Sequence, residues 1–343
     1  MTASTIPAGR GELRGAGAFT PLLRSEIRRV SHRRFYRVCS LLLLAGIVVV
    51  SAIVFFHSDQ VDTIPPAAQQ AYDRELAREQ SYYAQCQQQA ESQQQAAIDV
   101  CGPPPEESLS VYDFAGARPY QAKEALLPVV ISVSVASAML AFLIGASVGG
   151  AEWSSRSMTL QMLWEPRRLR LLVTKWLGLA VVMTLTGAAN LAVGLGLGAL
   201  TTSLRGTWAG LPADFWGQLI GASARGLVLI LFATTVAYAI SMLVRNTGGS
   251  LGVAFVYFAV AELGIRASLS KFGPDRYLLS GNVAAWMSNH GVDIPGRVTQ
   301  DDQGNSSLSM VHLSNVHGLM VMSAFLVVVV IPAAWSFKRR DVG

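Results

Sequence analysis

Residues 152–175 read EWSSRSMTLQMLWEPRRLRLLVTK, and they stand between two of the most apolar runs in the chain. The stretch opens on Glu152-Trp153, carries Pro166 and the Arg167-Arg168 pair, and closes on Lys175. The flanking runs, Ala125–Val148 and Leu171–Leu200, are each longer than the about 20 residues that cross a bilayer core at about 1.5 Å per residue. A charged, amphipathic piece between two such runs marks a loop that leaves a membrane and returns to it.

Working outward, four more runs follow the same logic: Cys39–Phe56, Gly226–Val244, Ser250–Ile265 and Val316–Phe337. Only 14% of the 343 residues are charged and 51% are hydrophobic. A soluble domain carries about 25% charged residues. The composition therefore predicts an all-α polytopic membrane protein with six transmembrane helices, at 39–57, 123–149, 171–200, 215–244, 250–266 and 316–337.

Charge distribution sets the expected orientation. The first 38 residues hold eight Arg against two Glu, whereas Ser58–Ala122 holds three Arg against ten Asp and Glu. Arg156, Arg167, Arg168, Arg170 and Lys175 crowd one connection, and Lys338-Arg339-Arg340 lies beside the C-terminus. By the positive-inside rule both termini and the 150–170 loop face the cytoplasm. The basic residues read as topology signals, which removes nucleic acid from the partners. The long Arg-rich start and the lack of a small-x-small site after Phe56 make the first span a retained anchor.

The other segments read as follows. Residues 1–18, rich in Gly, Ala and Arg, form a disordered tail. Residues 19–38 form an amphipathic interfacial helix, with Thr20-Pro21 at its start and Leu23, Ile27 and Val30 on one stripe. Residues 58–122 carry a Gln-rich run of helix formers and predict an extracytoplasmic helical protrusion; a disordered low-complexity tract is the alternative. Residues 267–315 form a second extracytoplasmic loop, with a short β-hairpin around DDQGNSS, and 338–343 a cytoplasmic tail.

Cys86 and Cys101 share the predicted outer side, where a disulfide is permitted. One straight helix over 67–98 would leave Cys86 about 18 Å from its end. Bonded Cα atoms must lie within about 7 Å. A bridge thus demands a break that folds the segment into a helical hairpin; free thiols or an intermolecular bond are the other outcomes.

No lysine ends a G-x-x-x-x-G-K-[ST] loop, so the chain carries no P-loop for ATP, and no nucleophile–base pair or metal-ligand spacing marks it as an enzyme. His290, His312 and His317 read as loop histidines. Ionisable residues at membrane depth are the default site candidates, and Arg225 and Glu262 fall at similar depth in spans four and five. They predict an intramembrane charge pair; snorkelling of Arg225 and an i,i+4 pair of Glu262 with Arg266 are the alternatives.

The order SVGGAEW, then Met158, Leu160, Met162 and Leu163 at helical spacing, then Pro166-Arg167-Arg168 and Lys175, resembles the first cytoplasmic loop of ABC-2 type transporter permeases of bacterial exporters. RSEIRRVSHRRFYRV resembles that family's N-terminal elbow helix, and the terminal FKRRDV its Phe-x-Arg-Arg-Asp ending. Ser157-Met158 stands where the family has a Gly-Thr step. The resemblance implies a type V exporter-like permease fold that pairs with a second permease copy, as a homodimer or heterodimer, and with separate ABC ATPase subunits. Those subunits would bind the ATP and Mg; this chain would need no cofactor. It further implies that Glu152, Trp153, Met158, Leu160, Met162, Leu163, Pro166, Arg167 and Arg168 form an ATPase coupling element. The system would export a hydrophobic or amphipathic compound or a lipid across a bacterial cell membrane. Two other functions suit the residues: a mechanotransmitter acting on envelope partners through the Gln-rich segment, and an ion-coupled carrier using Arg225 and Glu262.

Overall fold

A computed structural model describes residues 19–58, 64–92, 101, 104–116, 120–155, 157–164, 168–269, 272–300 and 306–339. The expected N-terminal tail lies outside them. Helix α1 (Phe19–Ser31) precedes α2 (Arg34–His57); α3 (Pro66–Ser92) follows, and then two single helical turns. Next come β1 (Tyr120–Gln121), α4 (Ala122–Ser154), α5 (Ser157–Trp164), α6 (Arg168–Arg205), β2 (Gly206–Thr207) and α7 (Phe215–Val244). Helix α8 (Thr247–Ser268) contains a π-helical stretch over Phe258–Ile265. The chain continues with α9 (Leu279–Met287), the hairpin of β3 (Val292–Gln300) and β4 (Ser306–Leu313), and α10 (Asn315–Arg339).

Six of these helices, α2, α4, α6, α7, α8 and α10, are long and apolar enough to cross a membrane. The chain is an all-α multi-pass membrane protein. Its helices form where the apolar runs lie because a bilayer supplies no water to satisfy backbone groups, and only a helix satisfies them within one segment.

The chain divides into two compact units. The first comprises residues 1–47, 127–194 and 214–343. Its core gathers Ile144, Leu179, Met183, Ile230 and Met322, all deeply buried. Small residues permit this packing: a Cβ on Gly187 would overlap the tip of Ile230, and one on Gly145 would meet Ala237. Buried polar groups tie the helices: Asn190 Nδ2 donates to Ser137 Oγ at 3.2 Å, and Trp176 Nε1 to Thr235 Oγ1 at 3.0 Å. The hairpin expected in the second loop is present as antiparallel β3–β4. The sequence reading did not contain α9, whose nine residues are too few to announce a helix by periodicity.

The second unit comprises residues 48–126 and 195–213. Within it, α3 carries Tyr72 in edge contact with Phe114, and Gln80 Nε2 donates to Glu106 Oε1 at 3.0 Å. Cys86 and Cys101 form a disulfide with Cα atoms 5.9 Å apart. That pairing meets the condition set by the sequence, since one straight helix over 67–98 would have kept the two cysteines apart. Arg205 stacks over Phe55 at 4.5 Å and donates to the Ser58 carbonyl.

Alkylation of the denatured, unreduced chain should modify Cys39 alone, and prior reduction should open all three thiols. Closing the 15-residue loop is worth about 3 kcal/mol. Cys101→Ala should therefore speed proteolysis within residues 66–116. Three reactive thiols without reductant would contradict the pairing.

Candidate functional site

Helix α4 ends on Gly149-Gly150-Ala151-Glu152-Trp153. A Cβ on Gly149 would overlap Ser241 of α7, and one on Gly150 would overlap Thr247 at the start of α8. The two glycines thus let the end of α4 sink against its neighbours, and the next residue but one, Glu152, arrives inside the protein at 2% exposure.

A carboxylate taken from water costs several kcal/mol unless cations meet it. Here they do. Glu152 Oε2 lies 2.9 Å from Lys175 Nζ, which is itself 2% exposed, and Oε1 accepts from Arg33 Nη2 at 3.1 Å. Arg29 stands 3.6 Å from Oε1. A second carboxylate, Glu26 on α1, pairs with Lys175 at 3.2 Å and Arg29 at 3.7 Å. The Lys175–Glu152 contact is an ion pair by distance rather than an aligned hydrogen bond. Burial lowers the Arg33 pKa from its ordinary value, and Glu152 opposes that shift. Arginine nonetheless stays charged. Three cations and two carboxylates thus join α1, the end of α4 and the first turns of α6.

Helix α1 is therefore docked rather than simply laid on a surface. Its Val30 enters the core, and its Glu26 rides over Gly178 of α6, where a Cβ would press on the Glu26 side chain. Trp153, next to Glu152, lies under Arg245 at 4.8 Å and meets Phe337 edge-on at 6.3 Å. Arg245 holds a left-handed backbone conformation, φ 61°, between α7 and α8. That conformation costs a non-glycine residue about 1–2 kcal/mol. The turn is closed by Asn246, whose side chain accepts from the Gly248 amide at 2.8 Å.

Beside this hub sits α5. The structure divides the expected coupling residues. Glu152 and Met158 are buried, one in the ion-pair hub and the other in the core, so neither presents a surface for docking. Trp153 packs against the chain itself. Leu160 points outward at 61% exposure. Met162 and Leu163 lie on α5, but their side chains fall outside the described residues, as do Pro166 and Arg167 altogether. Arg168 opens α6 instead of ending α5. Sequence reasoning treated Lys175, Arg29 and Arg33 as topology signals and passed over Glu26. The missed clue was a lone acid in a basic helix and a lone lysine heading an apolar span.

The expected Arg225–Glu262 pair is not formed. Glu262, on the π-helical stretch, accepts from the Ser280 amide at 3.0 Å, Ser280 Oγ at 2.6 Å, Tyr257 Oη at 3.3 Å and Arg266 Nη2 at 3.3 Å. Arg225 donates to Asn289 Oδ1, which belongs to a residue whose amide nitrogen reaches Gln218. The reason is α9. Ser280 stands at its start and Asn289 just past its end, about 13 Å apart along a helix. The two charges hold opposite ends of α9, the anion at the N-terminus and the cation at the C-terminus, as the helix dipole favours.

Lys175→Met should cost about 3–5 kcal/mol, because it leaves Glu152 buried beside arginines alone. Adding Glu152→Gln should recover part of that loss in thermal unfolding of the solubilised chain. Strict additivity of the two losses would contradict a direct pair.

A family model described as ABC-2 family transporter protein matches residues 21–342. No curated protein matches the chain. The family match begins inside α1, takes in all six membrane-length helices and runs past the end of α10, so the chain belongs to the ABC-2 family of transporter proteins.

Proposed function

We propose that this chain is the permease of an ATP-driven exporter whose energy enters through α5. Membership in the family makes it the membrane component rather than the ATPase. In this reading a separate ABC ATPase binds ATP and Mg and seats α5 in a groove. A second permease copy completes the path, and the cargo is a hydrophobic or amphipathic compound or a lipid, moved outward. Both termini and the 150–170 loop then face the cytoplasm of a bacterial cell.

The observation that carries this reading is the ion-pair hub. A short helix leading from Ser157 to Trp164 is flanked by α4 and α6, and Glu152, Lys175, Arg33 and Glu26 lock those two spans to α1. Force applied to α5 is thereby delivered to three helices together. Leu160 is the outward apolar contact such a groove would take.

A second reading has its own observation. The disulfide-tied segment around α3 suits a mechanotransmitter that acts on envelope partners when the ATPase moves α5. Deleting 67–101 would then abolish an envelope phenotype while export continues. The ion-coupled carrier has lost its motive, because Arg225 and Glu262 are each committed to an end of α9.

Leu160→Glu should weaken co-purification with the partner ATPase by roughly tenfold or more, since it places a charge against an apolar groove. Stimulation of the ATPase by the permease should fall with it, while the melting temperature of the isolated chain stays put. Unchanged association and unchanged stimulation would remove α5 as the input.

A further inference from the structure

The second unit contains a cleft of about 350 Å³ where the end of α2 meets the start of α4. That volume lies within the about 300–1,000 Å³ typical of small-molecule sites. One wall is Val54 and His57 of α2 with the following Ser58. The other is Tyr120 and Gln121 of β1 with Glu124 in the first turn of α4. The end of α6 holds both walls: Arg205 donates to the Ser58 carbonyl at 3.2 Å, and β2 pairs with β1. That pairing needs glycine, since a Cβ on Gly206 would overlap the Tyr120 carbonyl. Helix α2 runs 24 residues, about 36 Å, and outlasts the about 30 Å hydrocarbon core. The cleft at its end therefore lies at the membrane–water boundary.

The groups this cleft leaves free are acceptors. His57 Nδ1 lies 3.0 Å from the Ile53 carbonyl, which can only accept, so the ring proton sits on Nδ1. In the neutral ring Nε2 then keeps its lone pair. Ser58 Oγ spends its proton on the Val54 carbonyl at 2.6 Å and can only accept from a ligand. The Glu124 carboxylate accepts only. Its one cation among the described residues, Lys123, stands 4.0 Å away with both side chains exposed, and such a pair adds little. Arg205 is committed to the Ser58 carbonyl and the Phe55 ring, and neither cation lines the space. Three acceptors, one of them charged, match a positive group that carries N–H donors. A metal ion is the poorer match, because it takes three or four ligands of the His, Cys or carboxylate kind and the cleft offers one His and one carboxylate. A primary ammonium has three N–H donors, one for each acceptor, and its carbon chain would lie along Val54. Residues 58–122 hold three Arg against ten Asp and Glu, a field that draws cations to this side.

We propose that this cleft binds a primary ammonium group through Glu124, His57 and Ser58. At the bilayer boundary that group has two sources, a phosphatidylethanolamine headgroup and a small free amine. The site lies within a single chain and does not depend on the ATPase assignment.

The test has a lipid arm and a free-amine arm, both on the full chain. In the first, the chain is taken from vesicles of equal parts phosphatidylethanolamine and phosphatidylcholine, and native mass spectrometry counts the lipids it keeps. Phosphatidylethanolamine should be retained over phosphatidylcholine by roughly tenfold, because the trimethylammonium of the latter has the charge without an N–H. In the second, ethanolamine should raise the melting temperature of the lipid-stripped chain where choline does not. Glu124→Gln should remove most of either response, and because Glu124 is exposed the unliganded melting temperature should match that of the wild type. His57→Phe, which keeps a ring without the acceptor, should weaken the response as well, so one misfolded variant does not cost the answer. A response in the lipid arm alone names the headgroup as the source, and one in the other arm alone names a free amine. Both retain the ammonium site. No response in either arm, equal responses to choline groups, or responses that Glu124→Gln leaves intact would overturn the proposal. So would zinc binding that both variants abolish, since it would make the cleft a metal site.

Discussion

The pairing of Glu152 with Lys175 is the contact on which one whole end of the first unit depends. Both groups are almost fully buried and 2.9 Å apart. Exposed ion pairs are worth about 0–1 kcal/mol, and Arg78–Glu75 on the exposed face of α3 belongs to that class. A buried pair behaves differently, because parting it strands charge in an apolar setting at a cost of several kcal/mol. The end of α4, the first turns of α6 and helix α1 therefore cannot separate cheaply. They act as one body, and α5 is attached to that body at both ends.

A second clamp, built on the same physics, sits around α9. Glu262 receives the Ser280 amide at the start of α9 and joins it to α8. Trp286 donates to the Arg225 carbonyl and joins α9 to α7. Asn315 donates to the carbonyls of Ala285 and Ser288, and Gly318 lets α10 lie against Asn282 and Trp286. One helix of nine residues thus holds three spans in register. The π-helical stretch of α8 serves this clamp. Its wider turn re-aims Glu262, which a regular helix would direct elsewhere on the face.

How far all this could be read from the sequence depends on the range of the forces involved. Spans are decided by composition over about 20 residues, so their number was legible. The β-hairpin was legible too, from alternation on both sides of a polar turn. The pairing of Cys86 with Cys101 could be framed only through the condition it sets, that no straight helix runs over 67–98. The partners of charged residues were not legible. Glu152 meets Arg33 across 119 positions and Lys175 meets Glu26 across 149, and nothing local to either residue names the other. Arg225 and Glu262 illustrate the opposite error. Equal depth made a pair reasonable, but depth leaves out a third element, and α9 came between them. Met158 misled in a similar way: helical spacing marked an apolar stripe on α5 without saying whether a partner protein or the chain's own core covers it.

The two clamps also say where the protein is able to deform. In a bilayer no hydrophobic force holds spans together, and an interhelical hydrogen bond contributes on average only about 0.6 kcal/mol. The Asn190–Ser137 and Trp176–Thr235 contacts are of that kind. Stiffness is therefore concentrated at the ends of the spans, where charges are buried or capped, and is low between them. Helix α8 is the extreme case. Only 11% of its apolar window is buried against 61% for α7, and it carries the π-helical stretch. It begins at the strained Arg245 turn and is pinned to α9 by Glu262. The hub adjoins this helix through Trp153, which lies under Arg245 at the turn that opens α8.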